Sequence, residues 1–162
     1  MKKSNKKGFT LVELVVVIAI IGVLAAILVP SMLGYVKKSR LKTANANAKT
    51  AYNAISGMVT DANTQGTPVN PVSLAGTDYS CKTDVASPSS DSDKVQHELF
   101  KALGDNDKEA GIATIVHMTN SGANSQSYAI QWKKGTNDDI IGQFPDPIPD
   151  VDTAVTWQTF CA

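Results

Sequence analysis

The chain divides into three stretches that differ in the pattern of hydrophobic and polar residues. Residues 14–36 contain no charged side chain, residues 37–62 repeat apolar positions every three to five residues, and residues 63–162 mix short alternating runs with polar turns. The uncharged stretch is 23 residues long, and a helix needs roughly 20 predominantly apolar residues to cross a bilayer core. The pattern predicts a membrane-spanning helix that continues into an amphipathic one.

The second stretch continues the helical period of the first. Spacings of three to five residues place its apolar positions on one face of a helix. We therefore expect one helix from Phe9 to about Ala62. Gly22 and Pro30 interrupt the apolar half, and because Pro30 lacks a backbone donor and clashes with the preceding turn, we expect a bend or a locally opened stretch at Pro30, with an ordinary proline kink as the alternative. The expected apolar face consists of Leu33, Val36, Leu41, Ala44, Ala48, Tyr52, Ile55, Val59 and Ala62.

The third stretch predicts an α+β head. Residues 75–93 are rich in Ser, Thr, Asp and Gly and indicate a connecting loop. A short helix follows, with Ser92 or Asp93 at its start and Gly104 past its end. An antiparallel sheet of about four strands, packed on the second half of the long helix, would bury the apolar face of each strand. The predicted strands span residues 112–119, 128–134, 140–144 and 154–160.

A basic and acidic motif precedes the uncharged stretch. Four lysines lie among the first seven residues, and Gly8, Phe9 and Glu13 follow them. A secretory signal peptide has an apolar core of only about 7 to 15 residues, which is shorter than the run seen here. A plain membrane anchor does not explain Glu13, because an acidic residue at the centre of a spanning helix costs about 2.5 to 3.5 kcal/mol. The motif indicates a more specific use of the N-terminus.

The string KKGFTLVELVVVIAIIGVLAAILVP resembles the leader and N-terminal helix of type IV prepilins. The resemblance rests on Gly8, Phe9 and Glu13. It implies that a prepilin peptidase cuts after Gly8 and methylates the amino group of Phe9. It also implies that Glu13 of one subunit meets the Phe9 ammonium of its neighbour when subunits polymerise. The resemblance further suggests that the helix extends between Gly22 and Pro30 when it is packed in a filament.

The resemblance further implies a pilin-like division of the chain. Residues 1–8 would form the cleaved leader, 9–36 the transmembrane and filament-core helix, 37–62 the amphipathic half of the stem, and 63–162 the globular head. The expected product is a homopolymeric type IV pilus for adhesion, twitching motility or DNA uptake. Its precursor would sit in the inner membrane, contact lipid and engage the assembly machinery. A pseudopilin of type II secretion and a non-polymerising, membrane-anchored binding domain are the alternatives.

Charge limits two of these expectations. Removal of the leader takes away four of 15 basic side chains and leaves 11 against 15 acidic ones, which disfavours general nucleic-acid binding. The basic residues on the two sides of the apolar run are equal in number, so the orientation of the span rests on the resemblance. The set after the run is either a solvated helix face or a contact for anionic lipid heads or acidic neighbours. That set is Lys37, Lys38, Arg40 and Lys42.

Two cysteines, Cys81 and Cys161, lie outside the apolar stretch. In an exported head, an oxidising compartment favours one disulfide between them. A closed loop of about 80 residues corresponds to roughly 4 to 5 kcal/mol in the chain-entropy model. In a reducing setting the two thiols would be free.

No catalytic set, phosphate loop or Cys/His metal pattern is visible, so neither an enzyme nor a cofactor is expected. His97 and His117 are expected to be surface or sheet-face residues. Pseudopilins, which resemble pilins, carry calcium in the loop before the last strand, and Asp146, Asp150 and Asp152 could supply oxygen ligands there. The alternative is a rigid turn made by the neighbouring residues Pro145, Pro147 and Pro149.

Overall fold

The computed structural model describes residues 8–104, 110–118 and 127–159. Two helices and four strands follow one another in an order that confirms the predicted α+β class. Contacts within the chain separate a first unit, which ends at Val36, from a second unit, which begins at Lys37. The elements are helix α1 (Leu11–Thr64), a 3-10 turn (Pro71–Leu74), strand β1 (Asp78–Ser80), helix α2 (Asp91–Leu99), a π-helical turn (Phe100–Gly104), and strands β2 (Ile112–His117), β3 (Tyr128–Lys133) and β4 (Gly142–Phe144).

The part of α1 in the first unit is apolar on every side and exposed throughout. The helix is continuous through Gly22 and Pro30, so no locally opened stretch lies between them in this chain. Just after the proline, the Ser31 hydroxyl donates to the carbonyl of Leu28 at 2.9 Å. An extension of this region upon packing in a filament stays a prediction.

The part of α1 in the second unit has a narrow buried face. Small side chains dominate this face, which lets the sheet approach the helix closely. The packing confirms that the second half of the helix carries the head, and α1 ends at Thr64, two residues later than predicted. Leu33 and Val36, which were expected to continue the buried face, are exposed. The buried residues are Leu41, Ala44, Ala48, Ala51, Ile55 and Ala62.

The four strands form an antiparallel meander in the order β1-β2-β3-β4. Tyr79 pairs with Ala113, and Ala113 pairs with Trp132 on the other side. Ile115 and Ile130 form a further pair on the same face. Because side chains alternate along a strand, these residues all point to one face, where they join the buried alanines of α1 in a single core.

The predicted sheet has the right number of strands but one wrong member. The strand expected over residues 154–160 is absent, since its described part, 154–159, contains a turn and a positive φ of 65° at Gln158. The fourth strand is instead β1, inside the segment predicted to be a connecting loop. The three remaining strands are confirmed with end shifts of one or two residues among the described residues. With only three residues, β1 is too short for alternation to stand out.

Helix α2 also begins earlier than predicted. Its N-cap is Ser90 rather than Ser92 or Asp93, and the Ser90 hydroxyl accepts a bond from the Asp93 amide at 3.1 Å. The Asp93 carboxylate accepts from the Ser90 amide in return. These bonds, together with those from Ser89, lower the pKa of Asp93 to about 2. The two residues thus form a capping box, which satisfies donors that a helix start leaves unpaired.

Strand β4 approaches α1 so closely that only a glycine fits at its first position. A Cβ atom on Gly142 would lie 2.0 Å from the carbonyl carbon of Ala44 and 2.3 Å from the amide nitrogen of Asn45. Backbone atoms cannot move aside as the end of a side chain can. The contact between the sheet edge and the helix therefore depends on the absence of a side chain at residue 142.

We expect Gly142→Ala to lower the free energy of unfolding of the head by about 2 to 3 kcal/mol, since overpacking against backbone forces the strand away from the helix. Thermal unfolding of the detergent-solubilised chain, followed by fluorescence of Trp132 and Trp157, measures the change. Gly135→Ala is the matched control, because a Cβ there meets no atom within 4 Å. Equal melting temperatures for the two variants would contradict the close approach.

Candidate functional site

The first turn of α1 contains a reciprocal cap. The Thr10 amide and the Thr10 hydroxyl both donate to Glu13 Oε2, at 2.8 and 2.7 Å. The Glu13 amide donates to Thr10 Oγ1 at 3.3 Å. Thr10 is thus the N-cap and Glu13 the third helical residue of a capping box. A carboxylate at this end is also favoured by the helix dipole.

The sequence carried this signal, and the prediction missed it. Thr10-Leu11-Val12-Glu13 fits the threonine and glutamate spacing that marks a helix start before an apolar run. Glu13 was interpreted only as a charge that needs a partner in another subunit. The structure gives it a first partner, Thr10, within its own chain.

The predicted cleavage junction lies just outside the helix. Gly8 and Phe9 are not helical, and Phe9 is 86% exposed. A Cβ added to Gly8 would meet no atom within 4 Å. The Gly8-Phe9 bond is therefore accessible from solvent in the described part of the chain, and no packing within this chain requires a glycine before it.

The apolar stretch that follows is long and apolar enough to cross a membrane. Among the described residues, α1 is the one helix that meets this criterion, by length and composition. None of its most apolar window is buried, and even Ile27 in its middle is 71% exposed. A helix that is hydrophobic on all sides requires burial in a core or in hydrocarbon, and the described part of the chain supplies no such core.

The basic set after the apolar run separates into two kinds of residue. Arg40 Nη2 lies 2.7 Å from Asp138 Oδ2, and Lys38 Nζ lies 3.6 Å from Asp150 Oδ2. Each pair is worth about 0 to 1 kcal/mol at the surface, so its main effect is to tie a loop to the helix. Lys37 makes no ion pair with any described residue. Two members of the set therefore have partners in the head.

Asn45 joins α1 to the edge strand of the sheet. Its Oδ1 accepts bonds from the amides of Gln143 at 2.9 Å and Ile148 at 3.3 Å. Its Nδ2 donates to the carbonyl of Ile148 at 2.8 Å. One side chain thus pairs backbone groups at the edge of β4, where no further strand binds, and holds the proline-rich segment against the helix.

Two glutamines on the outer face of the sheet hold the C-terminal segment. Gln131 is fully buried, and its Nε2 donates to the carbonyl of Thr159 at 2.6 Å while its Oε1 accepts from the amide of Gln158 at 2.8 Å. Gln143, also buried, donates to the carbonyl of Asp146 at 3.0 Å. The side-chain amide of Gln131 thus bonds backbone groups of residues 158 and 159 that a neighbouring strand would otherwise bond. This explains why residues 154–159 are held to the sheet without forming a strand.

The carboxylates considered for calcium are not brought together. No group of three or more His, Cys, Asp or Glu side chains converges within the described ranges, which include Asp146, Asp150 and Asp152. The Asp150 carboxylate instead accepts from the amide of Val151 at 2.7 Å and pairs with Lys38. The arrangement agrees with a turn fixed by hydrogen bonds.

The two histidines lie at separate places on the head. His97 Nδ1 is 2.8 Å from Asp84 Oδ1 and ties the segment before α2 to that helix. His117 ends β2 and is exposed. These positions agree with the surface roles expected for both residues.

Cys81 is fully buried in the core, and burial raises the pKa of its thiol to about 12. Cys161 lies outside the described residues, so the predicted disulfide stays a prediction. The chain shortly before it does run beside β1. Trp157 Nε1 donates to Asp78 Oδ1 at 2.9 Å, and Gln158 Nε2 donates to the carbonyl of Gly76 at 2.8 Å.

Fold and site together define a protein with one exposed apolar helix, an acidic cap at its start, an accessible Gly8-Phe9 junction and an α+β head. The family model of the prokaryotic N-terminal methylation motif matches residues 3–29, which contain the junction and Glu13. The N-terminal region of the chain is therefore similar to that motif.

Curated relatives match the same region. The type IV major fimbrial protein FimA of Dichelobacter nodosus is 41% identical over 64 residues, which are 40% of this chain and 41% of the relative. The type IV major pilin protein PilA of Myxococcus xanthus is 44% identical over 50 residues, or 31% and 23% of the two chains. Fimbrial protein EcpC of Eikenella corrodens is 54% identical over 44 residues, or 27% and 29%.

The comparisons confirm the predicted resemblance to type IV pilins for the N-terminal part of the chain. In these alignments the chain spans less than half the length of the curated relatives that it matches. No solved structure matches the chain. The head is thus described by its own structure rather than by that of a relative.

We expect peptide mapping of exported protein under non-reducing conditions to recover Cys81 linked to Cys161, because export exposes the pair to an oxidising compartment. The same digest after reduction is the control and should yield two separate peptides. Recovery of Cys81 as a free thiol from folded, exported protein would refute the disulfide. In that case its raised pKa predicts slow alkylation until the head is unfolded.

Proposed function

We propose that the chain is a structural subunit of a type IV pilus. The proposal rests above all on one observation. A methylation motif containing Gly8, Phe9 and Glu13 stands at the start of an apolar helix that its own chain leaves exposed. Such a helix needs lipid before assembly and neighbouring subunits after it. The names of the relatives, which are pilins and fimbrial proteins, support the same function.

In this proposal a prepilin peptidase cuts the accessible bond after Gly8 and methylates the new amino group of Phe9. The precursor resides in the inner membrane through residues 9–36, and the assembly machinery transfers it into an extracellular homopolymer. Burial of the apolar helix among its copies replaces its burial in lipid. Because lipid tails are as apolar as the helix, this exchange leaves the apolar surface covered throughout, and packing between the helices together with charge pairing favours the filament.

Glu13 can cap its helix and pair with a neighbour at the same time. The cap uses only Oε2, and Oε1 accepts no hydrogen bond from any described residue. An ionised carboxylate has about four lone-pair sites on its two oxygens, so Oε1 remains available to the Phe9 ammonium of another subunit. At about 4 Å and an effective dielectric near 20, the attraction is on the order of 4 kcal/mol. The cap fixes the side chain in place before that contact forms.

The alternatives receive less support. A pseudopilin would share the N-terminal motif, but the relatives described above are named as pilins and fimbrial proteins, and the three carboxylates considered for calcium do not converge. A membrane anchor that never polymerises could use Glu13 as a helix cap, but it has no use for a cleavable Gly8-Phe9 junction. The chain therefore fits a filament subunit better than either alternative.

N-terminal sequencing of filaments sheared from cells tests the function directly. We expect the subunit to begin at methylated Phe9. Gly8→Val should abolish this product, because the peptidase needs a small residue before the cut, whereas the chain itself has room for the new side chain. Surface filaments that lack this protein, or a Gly8→Val chain that still begins at Phe9, would contradict the proposal.

A pair of variants separates the two roles of Glu13. Glu13→Gln keeps an oxygen that can accept the Thr10 bonds but removes the charge. Thr10→Ala keeps the charge but removes the hydroxyl of the cap, which is worth about 0.5 to 2 kcal/mol. If charge pairing drives assembly, Glu13→Gln lowers filament yield steeply, since the neighbour's ammonium stays buried without a partner. Thr10→Ala should then lower it only modestly.

Yield is measured as sheared subunit relative to subunit in the membrane, for chains processed to the same extent. Glu13→Leu removes both roles and should resemble Glu13→Gln. Co-expression with the wild-type chain should restore part of the yield, because each variant subunit spoils only its own contact. Normal assembly of Glu13→Gln alone, with defective assembly of Thr10→Ala, would show that the cap rather than the charge is what the filament needs.

A further inference from the structure

A mixed-charge cleft opens at the start of the second unit. It has a volume of about 670 Å³ and lies between the first turn of α1 in that unit, the connection from β3 to β4, and residues 151 and 152. Its walls carry equal numbers of basic and acidic side chains. The charged residues that line it are Lys37, Arg40, Lys134, Asp138, Asp139 and Asp152.

Two of the charged residues in the cleft form an ion pair with each other. Arg40 and Asp138 lie 2.7 Å apart and neutralise each other. The four other charged side chains form no ion pair with any residue in the described ranges, and all four are exposed. Two cations, Lys37 and Lys134, and two carboxylates, Asp139 and Asp152, therefore face the same space without partners. A ligand that carries one charge of each sign would match them.

One residue of the cleft directly follows the apolar run in the chain. Lys37 lines the cleft and directly follows Val36, the last residue of the uncharged run. Headgroups add about 5 to 7 Å to each side of a bilayer core of about 30 Å. From Lys37 to Arg40, α1 rises about 4.5 Å at 1.5 Å per residue. If the hydrocarbon core ends near Val36, the two helical residues of the cleft, Lys37 and Arg40, lie at headgroup depth.

We propose that this cleft binds the phosphoethanolamine headgroup of a membrane lipid. Lys37 and Lys134 hold the phosphate, and Asp139 and Asp152 hold the primary ammonium. The inference rests on the membrane insertion that the proposed function requires. A purely basic set next to a span selects anionic lipids, but the two unpaired carboxylates repel a headgroup with a net negative charge. A quaternary choline group offers the carboxylates no N–H donor.

Competition among three lipids with identical acyl chains tests the proposal. The full-length chain, purified in detergent, is mixed with equal amounts of phosphatidylethanolamine, phosphatidylglycerol and phosphatidylcholine, and native mass spectrometry counts the lipids that it retains. We expect preferential retention of phosphatidylethanolamine. Lys134→Gln should reduce it by about two- to fivefold, the range of one exposed ion pair.

Substitution of the two carboxylates, Asp139 and Asp152, gives a more specific test of lipid preference. Asp139→Asn combined with Asp152→Asn leaves two unpaired cations in the cleft, so the preference should change from phosphatidylethanolamine to phosphatidylglycerol. Lys42→Gln and Asp146→Asn are the matched controls. Lys42→Gln removes one positive charge from the second unit, as Lys134→Gln does, and Asp146→Asn removes one negative charge, both at exposed residues that do not line the cleft.

Three results would overturn the proposal: a wild-type preference for phosphatidylglycerol, equal retention of all three lipids, or equal effects of the cleft variants and their controls. Circular dichroism checks that each variant folds, and the substitutions change only exposed side chains. Extraction of cell membranes with carbonate reports insertion separately. A chain that leaves the membrane on extraction contradicts the proposed function, whereas an inserted chain without lipid preference contradicts the cleft proposal alone.

Discussion

One constraint governs this molecule: a single continuous helix must satisfy two different surroundings. Up to Val36, α1 exposes apolar side chains on every side, and from Lys37 onward only a narrow face of it is buried. The second part is stable in water, but the first part is not, because the free energy falls by about 0.8 kcal/mol for each CH₂ group that is removed from water. The first part must therefore be covered by lipid or by other subunits. In the proposed function, cleavage and charge pairing accompany the exchange of one cover for the other.

The elements that sequence predicted well are those with long periodic signals. The uncharged run, the amphipathic face ending near Ala62 and the alternation in β2 and β3 each extend over enough residues for burial to leave a clear pattern. The predictions were wrong for segments that are short or that are held in place by polar side chains. Strand β1 has only three residues. In the last predicted strand, apolar residues alternate at Val155 and Trp157, but the described residues of that segment form no strand. Its backbone is held instead by Gln131, a contact between distant residues that no local pattern reveals.

The same distinction applies to the candidate site. Glu13 could be singled out because a lone acid beside an apolar run conflicts with its surroundings, and Gly8 and Phe9 because the string around them resembles a prepilin leader. The cap was also readable, since Thr10 and Glu13 have the spacing of a capping box. The sequence could not show that the cap uses one carboxylate oxygen and leaves the other without a bond from the described residues. That detail matters, because it makes the cap compatible with the proposed contact to a neighbouring subunit.

The basic residues after the span look equivalent in the sequence but differ in the folded chain, where some form ion pairs and others do not. Lys38 and Arg40 are drawn to Asp150 and Asp138, more than 90 residues away in the chain, and so become part of the head. Lys37 is left beside carboxylates that have no cation of their own. The two ion pairs neutralise Lys38 and Arg40 at the end of the span, whereas Lys37 forms no ion pair with any described residue. Because exposed pairs contribute little to stability, the unpaired charges cost the fold little and remain available to a partner outside the chain.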